Sequence, residues 1–361
     1  MARRLKAWKT PNSRPAAAAQ TTPLNALSSL QSIVGLAASR LIHSFRRREA
    51  HMGTSEGARL GWIGTGRMGY ALAERLLREG GDVAVYNRTR AKAGPLSDLG
   101  ATVVDSPAEL SDRDIVFTMV GGPKDVLEVA FGAEGVLTAQ NTHPRVLVDS
   151  TTIDMDASAE LRDGAAAVGT AVLAAPVSGN PKVVESGKLT MVVSGPRAAY
   201  DEAKPYFEQL ARKATYVGEG DLARLVKLCH NLHLGVVTQS MAEVTLLAEA
   251  AGVSRADFLE FFNESVVGST FTRYKTPAFV NLDWTTTFTW HLLRKDFELG
   301  LASARDLDVP MPTAALVHEI VTEGIGRGFG DLDFAALLEL NAAGAGMELR
   351  SEDRDVSDGL S

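Results

Sequence analysis

Lys227 and Asn231, in Leu225-Val226-Lys227-Leu228-Cys229-His230-Asn231, lie four residues apart and share one face of any helix that carries them. The lysine stands among apolar residues, where an ammonium is costly unless it is paired or its pKa falls towards neutrality. A lysine so tuned can give and take a proton. A lysine snorkelling at a helix start explains the same stretch, and taken alone it is the simpler reading. Upstream, Ala175-Pro176-Val177-Ser178-Gly179-Asn180 places a hydroxyl and exposed backbone N–H groups in a turn, which suits a carboxylate and equally describes an ordinary turn. Downstream, Phe288 precedes Arg294-Lys295-Asp296. A second cation near Lys227 would depress its pKa and help bind an anion; otherwise a Lys-Asp pair on a helix is a solvated face.

The start of the patterned chain carries a turn of a different kind. Leu60-Gly61-Trp62-Ile63 enters Gly64-Thr65-Gly66-Arg67-Met68-Gly69, and a helical pattern, Ala71 to Leu77, leaves it. Gly64 permits the tight turn, Gly66 lets the backbone approach a pyrophosphate, and Gly69 lets helix and strand pack closely. The helix N-terminus then faces the phosphates. About 20 residues on, where an acid usually holds the ribose of NAD, stand Asn87, Arg88 and Thr89. Arg88 can pair with a 2′-phosphate, and Asn87 and Thr89 can donate to it, so NADP(H) is expected in preference to NAD(H). A polar turn after a strand is the plainer alternative. No second motif for FAD is present.

The elements that must position these residues follow a simple order. Strand candidates Leu60–Ile63, Val83–Tyr86, Ala101–Val104, Ile115–Val120 and Val146–Val148 alternate with helical stretches, among them Ala71–Arg78 and Lys124–Ala130. That alternation predicts a parallel, doubly wound sheet. Ala171–Ala175, Thr190–Ser194 and Ala214–Val217, with a helix at Arg197–Leu210, are expected to extend the same sheet. From Leu222 to about Gly252 there is no proline and apolar residues fall on nearly all faces. One helix of roughly 45 Å is predicted there, buried between domains or subunits. Further helices are expected around Arg255–Asn263, Trp290–Arg305, Pro312–Gly324 and Asp333–Ala342. The fold class is therefore an α/β Rossmann-type domain followed by an all-α domain. The boundaries are a leader over 1–57, a nucleotide-binding domain over 58–221, a helical substrate and dimerisation domain over 222–349, and an acidic tail over 350–361 that should fray.

Bulk properties narrow the function. A net charge of −7 offers no basic surface on the scale that nucleic acid needs. Residues 1–50 carry nine Lys or Arg against Glu49, so the remainder, by difference, is near −15. The single cysteine, Cys229, excludes an intrachain disulfide and fits a reducing compartment. Charged residues or histidines interrupt every apolar run before membrane length. The leader is Arg-rich, acid-poor and rich in Ala and Ser, as in a mitochondrial transit peptide. Met52, just ahead of Arg59, offers a different start and then a cytoplasmic protein. His230 and His233 lack a third ligand, so no metal site is expected.

Together these segments resemble the β-hydroxyacid dehydrogenases, which include 3-hydroxyisobutyrate dehydrogenase and the glyoxylate, succinic semialdehyde and tartronate semialdehyde reductases. The resemblance covers about residues 58–345. Gly64 to Gly69 matches the cofactor turn, and Asp149-Ser150-Thr151-Thr152-Ile153 looks like the family's Asp-x-Ser-Thr segment, with Thr152 near the nicotinamide. Pro176-Val177-Ser178-Gly179 matches the substrate-carboxylate loop, Lys227 the catalytic lysine, Asn231 the asparagine one turn later, and Lys295-Asp296 the late Lys-Asp pair. The family loop usually has Gly-Gly after the serine; here Asn180 and Pro181 follow Gly179 and should stiffen it. Lys227-x-x-His230-Asn231 is similar to 6-phosphogluconate dehydrogenase, whose extra C-terminal helices this chain lacks, so His230 is read as packing.

The resemblance implies a 6-phosphogluconate dehydrogenase-like fold and an NAD(P)-dependent oxidoreductase that interconverts a small β-hydroxyacid and its semialdehyde or oxo acid. Lys227 would be the general acid and base and Asn231 would orient the oxygen. Ser178, Gly179, Asn180, Phe288 and Lys295 would hold the substrate. Gly64, Gly66, Arg67, Met68, Gly69, Asn87, Arg88, Thr89, Met119, Val120, Thr152 and Lys295 would hold the cofactor. A homodimer or homotetramer is implied. An imine-type reductase on the same scaffold, or a non-catalytic NADP-binding protein, are the alternatives against which Lys227 argues.

Overall fold

The computed structural model describes residues Gly57–Leu360. The leader expected over 1–57 lies, but for Gly57, outside the described residues. From Leu60 six short strands alternate with helices: β1 (Leu60–Ile63), α1 (Arg67–Arg78), β2 (Val83–Tyr86), β3 (Thr102–Val103), β4 (Ile115–Thr118), α2 (Pro123–Phe131), β5 (Val146–Asp149), α3 (Met155–Ala167) and β6 (Ala171–Ala174). Apart from the short edge strand β3, the strands are largely buried apolar runs, as a sheet covered on both faces requires. Their order is β3-β2-β1-β4-β5-β6, all parallel, with Leu60 opposite both Val83 and Ile115. The chain thus reverses its winding between β1 and β4, and the crevice at the ends of those strands is where this architecture binds ligands.

The sheet does not continue as the alternation suggested. β7 (Val177–Ser178), β8 (Thr190–Val193) and β9 (Lys213–Tyr216) form a separate three-stranded sheet, β7 antiparallel to β8 and β8 parallel to β9. A single antiparallel bridge, Ala174 to Ser194, joins the two. The cause is Pro176, which breaks the run after β6 and turns Val177-Ser178 out of the parallel direction. Between β7 and β8 lies a short helix, α4 (Pro181–Glu185), and between β8 and β9 lies α5 (Arg197–Leu210).

The helical half begins with α6 (Leu222–Ala250). α7 (Arg255–Glu264), α8 (Thr270–Asn281), α9 (Trp290–Asp306), α10 (Pro312–Gly326) and α11 (Leu337–Gly344) follow. α6 packs on α9, α10 and α11 over a core of Leu232, Met241, Phe297, Val321 and Leu338. Gly235 and Gly300 allow the α6–α9 approach: a Cβ on Gly235 would lie 2.4 Å from the Phe297 ring. The helix is not buried all round within the chain, because Leu222, Val226 and Leu247 are exposed.

The tail after Arg350 does not fray. Both Glu352 carboxylate oxygens accept backbone N–H bonds at the start of α7, from Arg255 at 2.6 Å and Ala256 at 3.0 Å. The buried Arg255 guanidinium reaches the Phe279, Val280 and Arg350 carbonyls and Glu249. Acidic composition favoured solvation, but this arginine requires acceptors and the tail supplies them.

Candidate active site

The glycine turn shows its purpose in what a side chain would strike. Gly64 has φ +96°, and a Cβ there would lie 2.2 Å from the Met119 carbonyl oxygen. A Cβ on Gly69 would lie 2.0 Å from the Gly64 carbonyl oxygen, so α1 packs directly on the turn. Gly66 is the reverse: nothing lies within 4 Å of its Cβ position. That open space sits at the N-cap of α1, which has no side-chain cap and no acid in its first turn. Free N–H groups beside open space fit a pyrophosphate. A groove of about 480 Å³ runs past Gly64, Gly66 and Gly69 to Asn87, Arg88, Thr89 and Val120. It is large enough for the adenosine half of a dinucleotide.

Asn87 has work of its own in that turn. Its Oδ1 accepts the Thr65 N–H at 2.9 Å and its Nδ2 donates to the Thr89 carbonyl at 2.9 Å. Arg88, 84% exposed at its side chain, lies 3.1 Å from Asp125 Oδ1. Lys92, which the sequence pattern did not single out, also lines the groove.

A second cavity, of about 530 Å³, opens beside the groove. It brings together Lys227, Asn231, Ser178, Gly179, Asn180 and Phe288 from segments far apart in sequence, and Thr152 lines it too. Arg67, Met68 and Met119 line both cavities, so the two adjoin at these residues. Lys295 lines neither; its Nζ lies 3.7 Å from Asp296 Oδ1.

α6 is placed by an ion pair one turn before Lys227. Arg224, 3% exposed, donates to Asp149 Oδ2 at 2.7 Å, the Thr151 carbonyl at 2.8 Å and Ser158 Oγ at 2.6 Å. Asp149 in turn accepts from Thr118 and from the Thr151 N–H. The Asp-Ser-Thr-Thr segment therefore pins the helix to the end of β5. Lys227 is half-buried and, among the described residues, has neither a hydrogen-bond acceptor nor a carboxylate within 4.0 Å. Burial lowers its pKa to about 8, with the field of Asp296 pulling the other way.

Beside it runs a chain of polar contacts whose directions can be assigned. Asp296 is buried on α9, where burial raises its pKa against the pull of Lys295 and Lys227; as a carboxylate it accepts Asn231 Nδ2 at 2.5 Å. Asn231 Oδ1 then faces His230 Nδ1 at 2.9 Å, which must carry the proton. His230 Nε2 is left as an acceptor for the Ser178 hydroxyl at 2.9 Å. Burial and then the Lys227 charge lower the His230 pKa, which favours this neutral form. His230 is thus no packing residue: it lines the cavity and ties α6 to the Ser178 loop.

That loop is built around Gly179, φ +143°, whose Cβ position is 2.7 Å from Val183. Asn180 caps α4 by accepting the Val183 N–H at 3.1 Å, which is the stiffening that Asn180-Pro181 promised. The far wall comes from residues no motif marked, Phe271, Tyr274, Thr287 and Phe334; on the small sheet's side are Arg212 and Lys188, the latter in the Gly187-Lys188-Leu189-Thr190 stretch that follows the Ser178 loop. Burial and Asp333 raise the Tyr274 pKa, so its hydroxyl keeps its proton. Behind it Lys275 and Asp333 form a buried pair at 2.5 Å, and Asp333 also accepts from Thr287, Phe288 and Ala335. Only the tertiary fold brings α8 to the cavity, so no local pattern could have flagged Tyr274.

Known proteins agree with this layout. Residues 59–218 match the family model described as the NAD binding domain of 6-phosphogluconate dehydrogenase. Residues 221–341 match the one described as NAD-binding of NADP-dependent 3-hydroxyisobutyrate dehydrogenase. Glyoxylate/succinic semialdehyde reductase 1 of Arabidopsis thaliana is 30% identical over 281 residues, covering 78% of this chain and 97% of the relative. The chloroplastic reductase 2 of the same plant is also 30% identical, over 78% of each chain. The crystal structure of a 3-hydroxyisobutyrate dehydrogenase from Salmonella typhimurium superposes with a TM-score of 0.70 at 25% identity, over 78% of this chain and 99% of the other. A parallel Rossmann-like sheet leading into helices, a dinucleotide turn and these matches place the chain in the 3-hydroxyisobutyrate dehydrogenase-like family of NAD(P)-dependent hydroxyacid oxidoreductases.

Proposed function

We propose that the enzyme interconverts a small β-hydroxyacid and its semialdehyde or oxo acid with NADP(H). The observation that carries this reading is the setting of Lys227: a half-buried ammonium without an ion-pair partner, its pKa lowered to about 8, lining one cavity with Ser178 and Gly179. When bound, the nicotinamide cofactor gives or takes the hydride. Gly64, Gly66 and the α1 N-terminus would hold its phosphates and Thr152 and Met119 would flank its reactive end. In reduction Lys227 Nζ gives a proton to the carbonyl oxygen as its carbon gains the hydride, and the lysine is reprotonated from solvent. In oxidation the neutral amine takes that proton back. Asn231, held by Asp296, orients the oxygen with its remaining N–H. Ser178 and the Gly179 backbone bind the carboxylate. Such positioning in a water-poor cleft supplies much of the rate.

NADP(H) over NAD(H) rests on Arg88 and Lys92 at the ribose end of the groove. Arg88 would exchange Asp125 for the 2′-phosphate. The names of the relatives suggest the first substrates: NADPH consumption is followed with glyoxylate, succinic semialdehyde and methylmalonate semialdehyde. Turnover of at least one is expected, with collapse in Lys227→Ala while NADPH still binds. Full activity in that variant overturns the assignment.

A further inference from the structure

The ionisable groups that line the substrate cavity are of one sign. They are the cations Arg67, Lys188, Arg212 and Lys227, with the neutral His230 and Tyr274; no carboxylate lines it among the described residues. Arg212 is exposed and Lys188 half-buried at the cavity mouth, unlike the buried Arg224, Arg255 and Lys275, each of which meets an acid directly. A monoanionic substrate accounts for part of the excess. Its carboxylate would go to Ser178 and Gly179 and its oxygen to Lys227, which has Asp296 behind it. Arg67 is turned to the Thr286 carbonyl at 2.7 Å and shares the nucleotide groove. Lys188 and Arg212 are left without a task.

Lys188 and Arg212 both line the cavity, and their backbones are neighbours. The Arg212 N–H donates to the Leu189 carbonyl at 2.9 Å, so the backbones that carry them are adjacent at the edge of the small sheet. Arg212 has no ion-pair partner among the described residues. Lys188 Nζ donates to the Gly359 carbonyl at 2.8 Å, a neutral acceptor that fixes the ammonium without cancelling its charge. The neighbouring acid of the tail, Asp358, goes instead to Lys182, 4.0 Å away and outside the cavity lining. An uncompensated pair of cations at the rim of a concave site concentrates anions there. The cavity, at about 530 Å³, has room for the nicotinamide end and a substrate of several carbons.

We propose that the substrate is dianionic: a hydroxyacid or semialdehyde acid whose second anionic group, carboxylate or phosphate, is bound by Lys188 and Arg212. The proposal rests on the hydroxyacid reading of the same cavity. The test measures binding to the NADPH-loaded enzyme by calorimetry, with matched probes: butyrate against succinate, and glycerate against 3-phosphoglycerate. Each probe that carries the second anionic group should bind about tenfold or more tightly than its partner without it, a factor typical of one charge-assisted contact pair. The advantage should shrink at about 0.5 M salt and fall to near parity in Arg212→Gln and in Lys188→Gln. Gain for phosphoglycerate alone assigns a phosphate, and gain for succinate assigns a carboxylate. Equal affinities within both pairs, or an advantage that survives both substitutions, overturn the proposal. Turnover is scored separately: dianion preference without oxidation or reduction of any acid tested would discard the hydroxyacid reading and keep the anion site. Turnover of monoanions with no dianion preference would do the reverse.

Discussion

Arg224 and Lys227, three residues apart on α6, are two ways of burying a cation. Arg224 spends its guanidinium on Asp149, the Thr151 carbonyl and Ser158, and it is shut away from solvent. Lys227 has no such partner, and burial without compensation lowers its pKa to about 8. Desolvation acts on both; the acceptors differ. A saturated cation holds parts together, whereas an under-partnered one is easily deprotonated and so can do chemistry. The Lys275–Asp333 pair belongs with Arg224: it too is fully furnished with partners, behind the cavity wall.

The comparison can be broken most sharply at the lysine. Lys227→Arg keeps the charge but cannot release a proton at accessible pH, so turnover should fall about 10²- to 10⁴-fold. If arginine restores most of the rate, the residue serves by charge alone. At the other site Arg224→Met should leave turnover per folded molecule far less affected but cost about 3–5 kcal/mol in denaturant unfolding, because Asp149 stays buried without its partner. An unchanged unfolding midpoint would deny the ion pair its anchoring role.

The pH profile sharpens the same contrast. Reduction needs protonated Lys227, so its rate should decline as pH rises through about 8; oxidation needs the free amine and should climb over the same window. Asp296 raises the lysine's pKa, so Asp296→Asn should move both limbs to lower pH. Limbs that stay in place would show that another group titrates. The smallest effect is expected at His230. His230→Asn should raise KM for the carboxylate a few-fold, on the order of 1 kcal/mol for one hydrogen bond to Ser178, with little change in kcat. An equal fall in kcat would make the histidine part of the reacting centre.

Much of the nucleotide half was legible because its signals are local. Gly69 is required by crowding against the Gly64 carbonyl and Gly64 by its positive φ, while Gly66 keeps its surroundings open, and apolar runs mark β1, β2 and β4 to β6 to within about two residues. What escaped is long-range. Strand-helix alternation says nothing about which sheet a strand joins, so β8 and β9 were assigned to the wrong one. Asn87 was legible as a polar residue beside a ribose, but its two amide atoms bond to Thr65 and Thr89. Lys227 and Asn231 stood out through helical spacing, whereas Tyr274 and Arg212 reach the cavity through packing alone.

The clasp of Glu352 on Arg255 also sets an order of assembly. α7 and the Phe279–Val280 end of α8 lack part of their acceptor and capping set until residues 350–352 arrive. During synthesis the nucleotide-binding sheet can therefore complete itself while the helical half still waits for its last segment. The substrate cavity, which draws Phe271 and Tyr274 from α8, comes into being late. A nascent chain of this enzyme would take up dinucleotide before it could recognise an acid.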